Sequence, residues 1–215
     1  MIPVVPAIIP QSLIDLETQL EKLNFSSEIH IDVVDGKFVP FISWPYKPTG
    51  FPLEIKKITD GFTLEVDLMV SDPIQSAESW IEAGADMLVF HVEGISLADF
   101  EKYVKSAPAS IGISALNDTP LEVFMPYIEI SDCVQLMGIA KIGAQGQSFD
   151  ERVFNKIEII KKRFPNKPIT IDGSVNKDTI KYIKEAGANR FIVGSAIVKA
   201  DEPYEAYLEL SKLIN

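Results

Sequence analysis

The chain has 215 residues, 47% of them apolar and 24% charged, which is the composition of one soluble globular domain or two small ones and excludes intrinsic disorder. No run of about 18 uncharged apolar residues occurs, which excludes a membrane span; no basic residue precedes the apolar stretch Met1 to Pro10, so no secretory signal is read there and a cytoplasmic location is expected. The net charge of −11 argues against nucleic acid, which is bound mainly by clustered Lys and Arg, and the single cysteine, Cys133, excludes an intramolecular disulfide or a cysteine zinc site and agrees with a reducing compartment.

Short runs rich in Val and Ile alternate with segments of helical spacing. The first strand is predicted over Pro3 to Ile9, followed by a helix over Ser12 to Leu23 and a second strand over Glu28 to Val34. Phe38 to Phe51, with its prolines and aromatics, breaks the rhythm and reads as a long loop placed to cover an active site. A third strand over Thr63 to Val70, a helix over Pro73 to Ala83, a fourth strand over Met87 to His91 and a helix over Leu97 to Lys105 follow. The remaining strands are Ser110 to Ala115, Cys133 to Ile139, Pro168 to Asp172 and Arg190 to Gly194; the remaining helices are Leu121 to Ile128, Glu151 to Phe164, Lys177 to Ala186 and Tyr204 to Ile214. Gly84 and Gly187 stand where a helix ends and a strand soon begins, as left-handed C-caps do.

Several strands are apolar throughout, as expected of strands covered on both faces. Eight strands in 215 residues fit a (β/α)8 TIM barrel better than a doubly wound sheet, and no shift in composition marks a second domain. Residues 1–215 are therefore read as a single α/β barrel domain.

In such a barrel the chemistry belongs at the C-terminal ends of the strands. His30 and Asp32 share one face of the second strand, with Ile31 and Val33 on the other, and Asp35 follows before Gly36. An ionisable pair facing a barrel interior is costly unless it is hydrogen-bonded or binds something, so both a core His–Asp bond and a metal or catalytic pair are open on these residues alone. Glu65 and Asp67 share a face of the third strand, and Asp172 ends the seventh. The second and seventh strands lie on roughly opposite sides of an eight-membered ring, so Asp32 and Asp172 are placed to approach a ligand from two faces; each Asp before a Gly also reads as a turn former.

A phosphate site is suggested by Gly143 to Ser148 after the sixth strand, Gly173-Ser174 after the seventh and Gly194-Ser195 after the eighth. There, backbone amides near a helix start replace cationic side chains. His91, at the end of the fourth strand, is read as a packed, hydrogen-bonded residue rather than a ligand.

Taken in order, these pieces resemble the ribulose-phosphate 3-epimerase family. The match includes Val5-Pro6-Ala7-Ile8-Ile9, the run from His30 to Pro40, Asp67-Leu68-Met69-Val70, His91-Val92-Glu93, Gly146-Gln147-Ser148-Phe149, Ile171-Asp172-Gly173-Ser174 and Val193-Gly194-Ser195-Ala196. The most specific is the His-x-Asp-x-x-Asp-Gly-x-Phe-Val-Pro pattern beginning at His30. The resemblance implies a TIM barrel that moves one proton at C3 of a ketopentose phosphate, interconverting ribulose 5-phosphate and xylulose 5-phosphate through an ene-diolate. Carried over, Asp32 and Asp172 are the two acid/base groups, and a divalent metal is held by His30, Asp32, Asp67 and Asp172. Met69, Met137, Gly143, Gly146, Gln147, Gly173, Ser174, Gly194 and Ser195 fall at substrate- or phosphate-binding positions. A homo-oligomer is implied by analogy.

The chain also departs from the family pattern. Asp67 stands where the family has a second histidine ligand, leaving one imidazole and three carboxylates, a set that among Mg²⁺, Mn²⁺, Fe²⁺ and Zn²⁺ favours the first two. Ala7 and Pro10 replace small polar residues, Val34 replaces a methionine, and Ala140 to Gly146 replaces the usual Asn-Pro-Gly-Phe-Gly-Gly loop. Two further readings stay open beside the pentulose epimerase: a hexulose-6-phosphate epimerase of the allulose type, and a degraded barrel that binds a sugar phosphate without turnover. The decarboxylase and hexulose-phosphate synthase branch resembles an Asp-x-Lys-x-x-Asp pattern on strand three, and here Asp67 occupies the lysine position.

Overall fold

The protein is described here from a computed structural model over residues 3–142 and 147–214. Eight parallel strands close on themselves in sequence order, β8 pairing back onto β1. They are β1 (Val4–Ile8), β2 (Glu28–Val34), β3 (Thr63–Met69), β4 (Met87–His91), β5 (Ser110–Ala115), β6 (Cys133–Met137), β7 (Ile169–Asp172) and β8 (Arg190–Val193). The helices are α1 (Leu13–Lys22), α2 (Pro73–Ala83), α3 (Leu97–Val104), α4 (Leu121–Ile130), α5 (Arg152–Arg163), α6 (Ile180–Ala186), α7 (Ser195–Val198) and α8 (Pro203–Leu213). This is the (β/α)8 barrel read from the strand and helix alternation. No helix among the described residues is long and apolar enough to cross a membrane.

Alternation along each strand separates two environments. On β2 the residues Ile29, Ile31 and Val33, and on β3 Leu64, Val66 and Leu68, join helix residues such as Leu16, Leu20, Trp80 and Phe100 in one apolar core between barrel and helices. The residues of opposite parity face inward, and below the barrel mouth they include polar ones: Glu28, His30 and Asp32 on β2, Glu65 and Asp67 on β3. Parallel pairing sets His30 beside Glu65 and Asp32 beside Asp67.

Local chemistry fixes the helix ends. The side chains of Ser12, Asp72 and Ser96 accept the amides of Asp15, Gln75 and Asp99, and Gly84 and Gly187 end α2 and α6 with φ of 104° and 116°. Two expectations are corrected, and one short helix is added. The sixth strand ends at Met137 rather than Ile139, because the Gly138 amide turns to the Asp172 carbonyl at 2.6 Å and its own carbonyl accepts Asp150 N at 2.8 Å. The sixth main helix starts at Ile180 rather than Lys177: the Asn176 side chain accepts Asp178 N at 2.9 Å and the Thr179 hydroxyl donates to Ser174 O at 2.8 Å, so both hold the backbone in a turn. The four-residue α7 is too short to show as a periodicity.

The long loop after β2 is anchored at its centre. Trp44 is buried and meets Trp80 edge-on with centroids 6.1 Å apart, and its amide donates to Pro10 O at 2.9 Å. Phe38, Val39 and Phe41 from the same loop pack on an apolar ring at the barrel mouth that contains Val34, Met69, Met137 and Ile139.

Candidate active site

His30 and Asp32 rise from β2, Asp67 from β3 and Asp172 from the end of β7, and one potential ligand atom from each lies within 4.8 Å of the others. His30, Asp32 and Asp67 are buried and Asp172 is half-buried. The spacing of two along β2 and the register of β2 with β3 bring the first three together; closure of the barrel brings in the fourth.

The orientation of His30 is set from below. Its Nδ1 lies 2.8 Å from Glu65 Oε1 and its Nε2 lies 3.2 Å from Asp32 Oδ1. Glu65 is in turn bonded by Arg190 Nη1, and Arg190 Nη2 reaches Glu28 at 3.1 Å. Burial works against the charge on His30, but its bonds to Asp32 and Glu65 outweigh it and hold the imidazole well above its usual range. Burial would lift the Glu65 carboxyl, yet the bond from His30 and the charge of Arg190 hold it below the ordinary carboxylate range. With Nδ1 bonded to a carboxylate, Nε2 is the nitrogen presented to the cluster.

The acids at the top behave differently. Burial, reinforced by the charge of Asp32, pushes Asp172 well above an ordinary carboxyl, and burial also raises Asp32, with His30 working in the opposite direction. Neighbouring carboxyls of this kind titrate as a pair, and a proton or a cation must relieve their repulsion. One imidazole and three carboxylates converging on a common point form a hard donor set, and with His30 Nε2 facing the cluster the residues fit a divalent cation.

A cavity of about 210 Å³ opens above the cluster, smaller than the roughly 300–1,000 Å³ of drug-sized sites and suited to a compact ligand. Asp32 and Asp172 line it together with Ala7, Met69, Met137, Gln147, Gly173, Ser174, Gly194 and Ser195. Sequence reasoning had singled out all of these; Gly143 and Gly146 lie outside the described residues. His30 and Asp67 do not line the cavity and sit buried beside the carboxyls that do. The cavity wall also includes Ile139, Asn176 and Ile192, which had not been anticipated.

The wall around the seventh and eighth strand ends includes two Gly-Ser turns. Gly173 and Ser174 have φ of 99° and 53°, and Ser174 is the one non-glycine residue with positive φ among the described residues. Such strain concentrates at ligand sites and costs on the order of 1–3 kcal/mol. Gly194 precedes α7, whose first amides have no partner within the helix. Asn117 steadies the sixth strand end, its Nδ2 donating to Met137 O at 2.9 Å and Ile139 O at 3.1 Å.

Two residues weighed in the sequence lie outside the cluster. Asp35 closes a turn: its Oδ1 accepts Lys37 N at 2.8 Å and its Oδ2 accepts Ser71 N at 2.8 Å, tying the β2 loop to the end of β3. His91 is buried and bonded, Nε2 to Asp67 Oδ1 at 2.8 Å, as a packed role requires. Cys133 is no nucleophile, since burial pushes its thiol up to about 12. Gln135 and Arg190 had gone unremarked, although a polar residue between Val134 and Leu136, or opening β8, is the signal of an inward side chain that must be satisfied.

A profile of the ribulose-phosphate 3-epimerase family matches residues 3–198. The chain belongs to that family. It is 32% identical over 221 residues to a ribulose-phosphate 3-epimerase of Bacillus subtilis, covering 98% of both chains. It is 30% identical over 216 residues to one from Mycobacterium bovis, covering 97% of this chain and 91% of the relative. Among solved structures, 3-hexulose-6-phosphate synthase from Salmonella typhimurium superposes with a TM-score of 0.73 at 15% identity, over 99% of this chain and 98% of the other, a likeness of fold.

Within the family barrel Gly138 marks a close approach: a Cβ added there would run into the carbonyl oxygen of Gly173. Gly138→Ala is expected to displace the Gly173-Ser174 turn from the cavity wall, destabilising the fold by about 1–3 kcal/mol and weakening binding of a phosphorylated ligand. Calorimetric titration with inorganic phosphate and a thermal melt check it; wild-type values in both would contradict the close packing.

Proposed function

We propose that this chain is a metal-dependent ribulose-5-phosphate 3-epimerase. The observation that carries the reading is the pair Asp32 and Asp172, two carboxyls of raised proton affinity facing one cavity whose far wall is the Gly173-Ser174 and Gly194-Ser195 turns. The turns bind the phosphate through backbone amides, which suits a chain of net charge −11 with no cation among the described residues that line the cavity. With the phosphate held there, the ketose lies across the barrel mouth between the two aspartates.

One aspartate, ionised, removes the proton from C3; the other, protonated, returns a proton to the opposite face. The reverse reaction exchanges the roles. Met69, Met137 and Ile139 line the cavity with apolar surface that keeps water from the ene-diolate. His30, Asp32, Asp67 and Asp172 would hold the divalent cation, Mg²⁺ or Mn²⁺ in preference to Zn²⁺ from the donor set, and its charge would stabilise the oxygens that become anionic. Glu65 keeps Nε2 of His30 available. Proton transfer between two acids needs no ammonium group, and Asp67 supplies none at the position that matches the lysine of the decarboxylase-branch pattern.

The reading is tested by incubating the protein with ribulose 5-phosphate in D₂O, with Mg²⁺, Mn²⁺, Fe²⁺ or Zn²⁺ supplied in turn, and recovering the sugars for mass spectrometry. One deuterium at C3 of both ribulose and xylulose 5-phosphate is expected. Absence of deuterium under every metal would overturn the epimerase and leave a binding protein, and faster exchange on a hexulose 6-phosphate would move the substrate to the six-carbon series.

A further inference from the structure

Asp67 is held from two sides. Its Oδ1 lies 2.8 Å from His91 Nε2 and its Oδ2 lies 2.8 Å from Gln135 Nε2. These partners stand on β4 and β6, strands that supply none of the four clustered groups, and Gln135 reaches Asp67 across the barrel interior from a position 68 residues away. All three side chains are buried.

Neither partner is there for stability alone. His91 Nδ1 and Gln135 Oε1 are buried and take no hydrogen bond among the described residues. A buried polar atom left unbonded carries a desolvation cost, so each donor residue offsets part of what its bond to Asp67 contributes to the fold. What the two donors do is geometric. A donor on each oxygen fixes the plane of the Asp67 carboxylate and leaves each oxygen one free lone pair, so the direction in which Asp67 can ligate is set by the barrel rather than by side-chain rotation. An imidazole at 67 could not accept from both donors at once, and a carboxamide would turn its N–H toward one of them.

We infer that His91 and Gln135 are positioning residues that aim the Asp67 carboxylate at the cation held with His30, Asp32 and Asp172. The inference rests on the metal-site reading and is tested by binding rather than turnover. Apoprotein is titrated with Mn²⁺ against a fluorescent chelator, and separately with Co²⁺ followed by its visible absorption, for wild type, Gln135→Leu, His91→Leu and His91→Gln.

Gln135→Leu and His91→Leu are expected to weaken Mn²⁺ binding by about 10- to 100-fold and to alter the Co²⁺ bands, and each, by leaving a buried Asp67 oxygen without its donor, to lower the melt of the apoprotein as well. His91→Gln, which keeps an amide donor near the Nε2 position, is expected to recover most of the affinity. Wild-type affinity and an unchanged Co²⁺ spectrum in Gln135→Leu would overturn the positioning role while leaving the metal site standing. Failure of the wild-type protein to bind either ion would overturn both.

Discussion

Asp172→Asn is expected to lower interconversion of ribulose and xylulose 5-phosphate by on the order of 10²–10⁴, the contribution of one general acid/base group. Asparagine keeps the size and planarity of the side chain but cannot exchange a proton, so the loss reports chemistry rather than packing. The pairing with Asp32 makes the result more specific than a loss of rate. If each aspartate serves one face of C3, the variant retains Asp32, and Asp32 can still remove and return the proton on its own side. One of the two epimers should then exchange its C3 hydrogen for deuterium without inverting, while the other does neither. Asp32→Asn should show the opposite preference. Mass spectrometry of each sugar recovered from D₂O reads this directly, and a variant that still inverts C3 at more than a tenth of the wild-type rate would remove Asp172 from the proton path. Both residues also belong to the four-residue cluster, so the comparison is made at saturating Mg²⁺ or Mn²⁺.

Arg190→Met is expected to be the most damaging single change to stability. Arg190 is 6% exposed and its guanidinium is shared by Glu28 and Glu65, which are 5% and 2% exposed. Methionine preserves much of the volume but removes the cation from the floor of the barrel, and breaking a buried ion pair in this way costs about 3–5 kcal/mol. For a chain of this length that lowers Tm by roughly 6–20 °C. The sign of the pH dependence is a second check. In the wild type the Glu65 carboxyl is held low, so its contribution to stability is present above its unfolded pKa and is lost as pH falls through the folded one. In Arg190→Met burial weighs against the charged form with only His30 to oppose it, so the deficit relative to wild type should be larger at neutral pH than near pH 5. A melt of the variant within about 1 °C of wild type at neutral pH would show that the floor network carries little energy. Because Glu65 also orients His30, the variant should lose cation affinity along with stability.

Much of the site was legible because strands read in steps of two. The step from His30 to Asp32, with Ile31 and Val33 between, places both on one face whatever the surrounding fold, and the same holds for Glu65 and Asp67. The Gly-Ser pairs after the last two strands were readable for a related reason: once the alternation marks a parallel barrel, loop positions follow from strand ends. Where local hydrogen bonds compete with periodicity the reading slipped, as at Asn176 and Thr179, which delay α6, and at Gly138, which ends β6 early.

The sequence by itself therefore determined the barrel and the inward polar face of β2 and β3, since each rests on patterns repeated over a few residues, whereas the meeting of Asp172 with His30, Asp32 and Asp67 depended on closure. Only the tertiary structure decided which groups bond to which. His30 meets Glu65 across 35 residues, Asp67 meets Gln135 across 68, and Glu65 meets Arg190 across 125. The physical reason is closure: side chains that are remote along the chain become neighbours inside the ring once β8 pairs with β1 and every register is set, and no local pattern encodes that register.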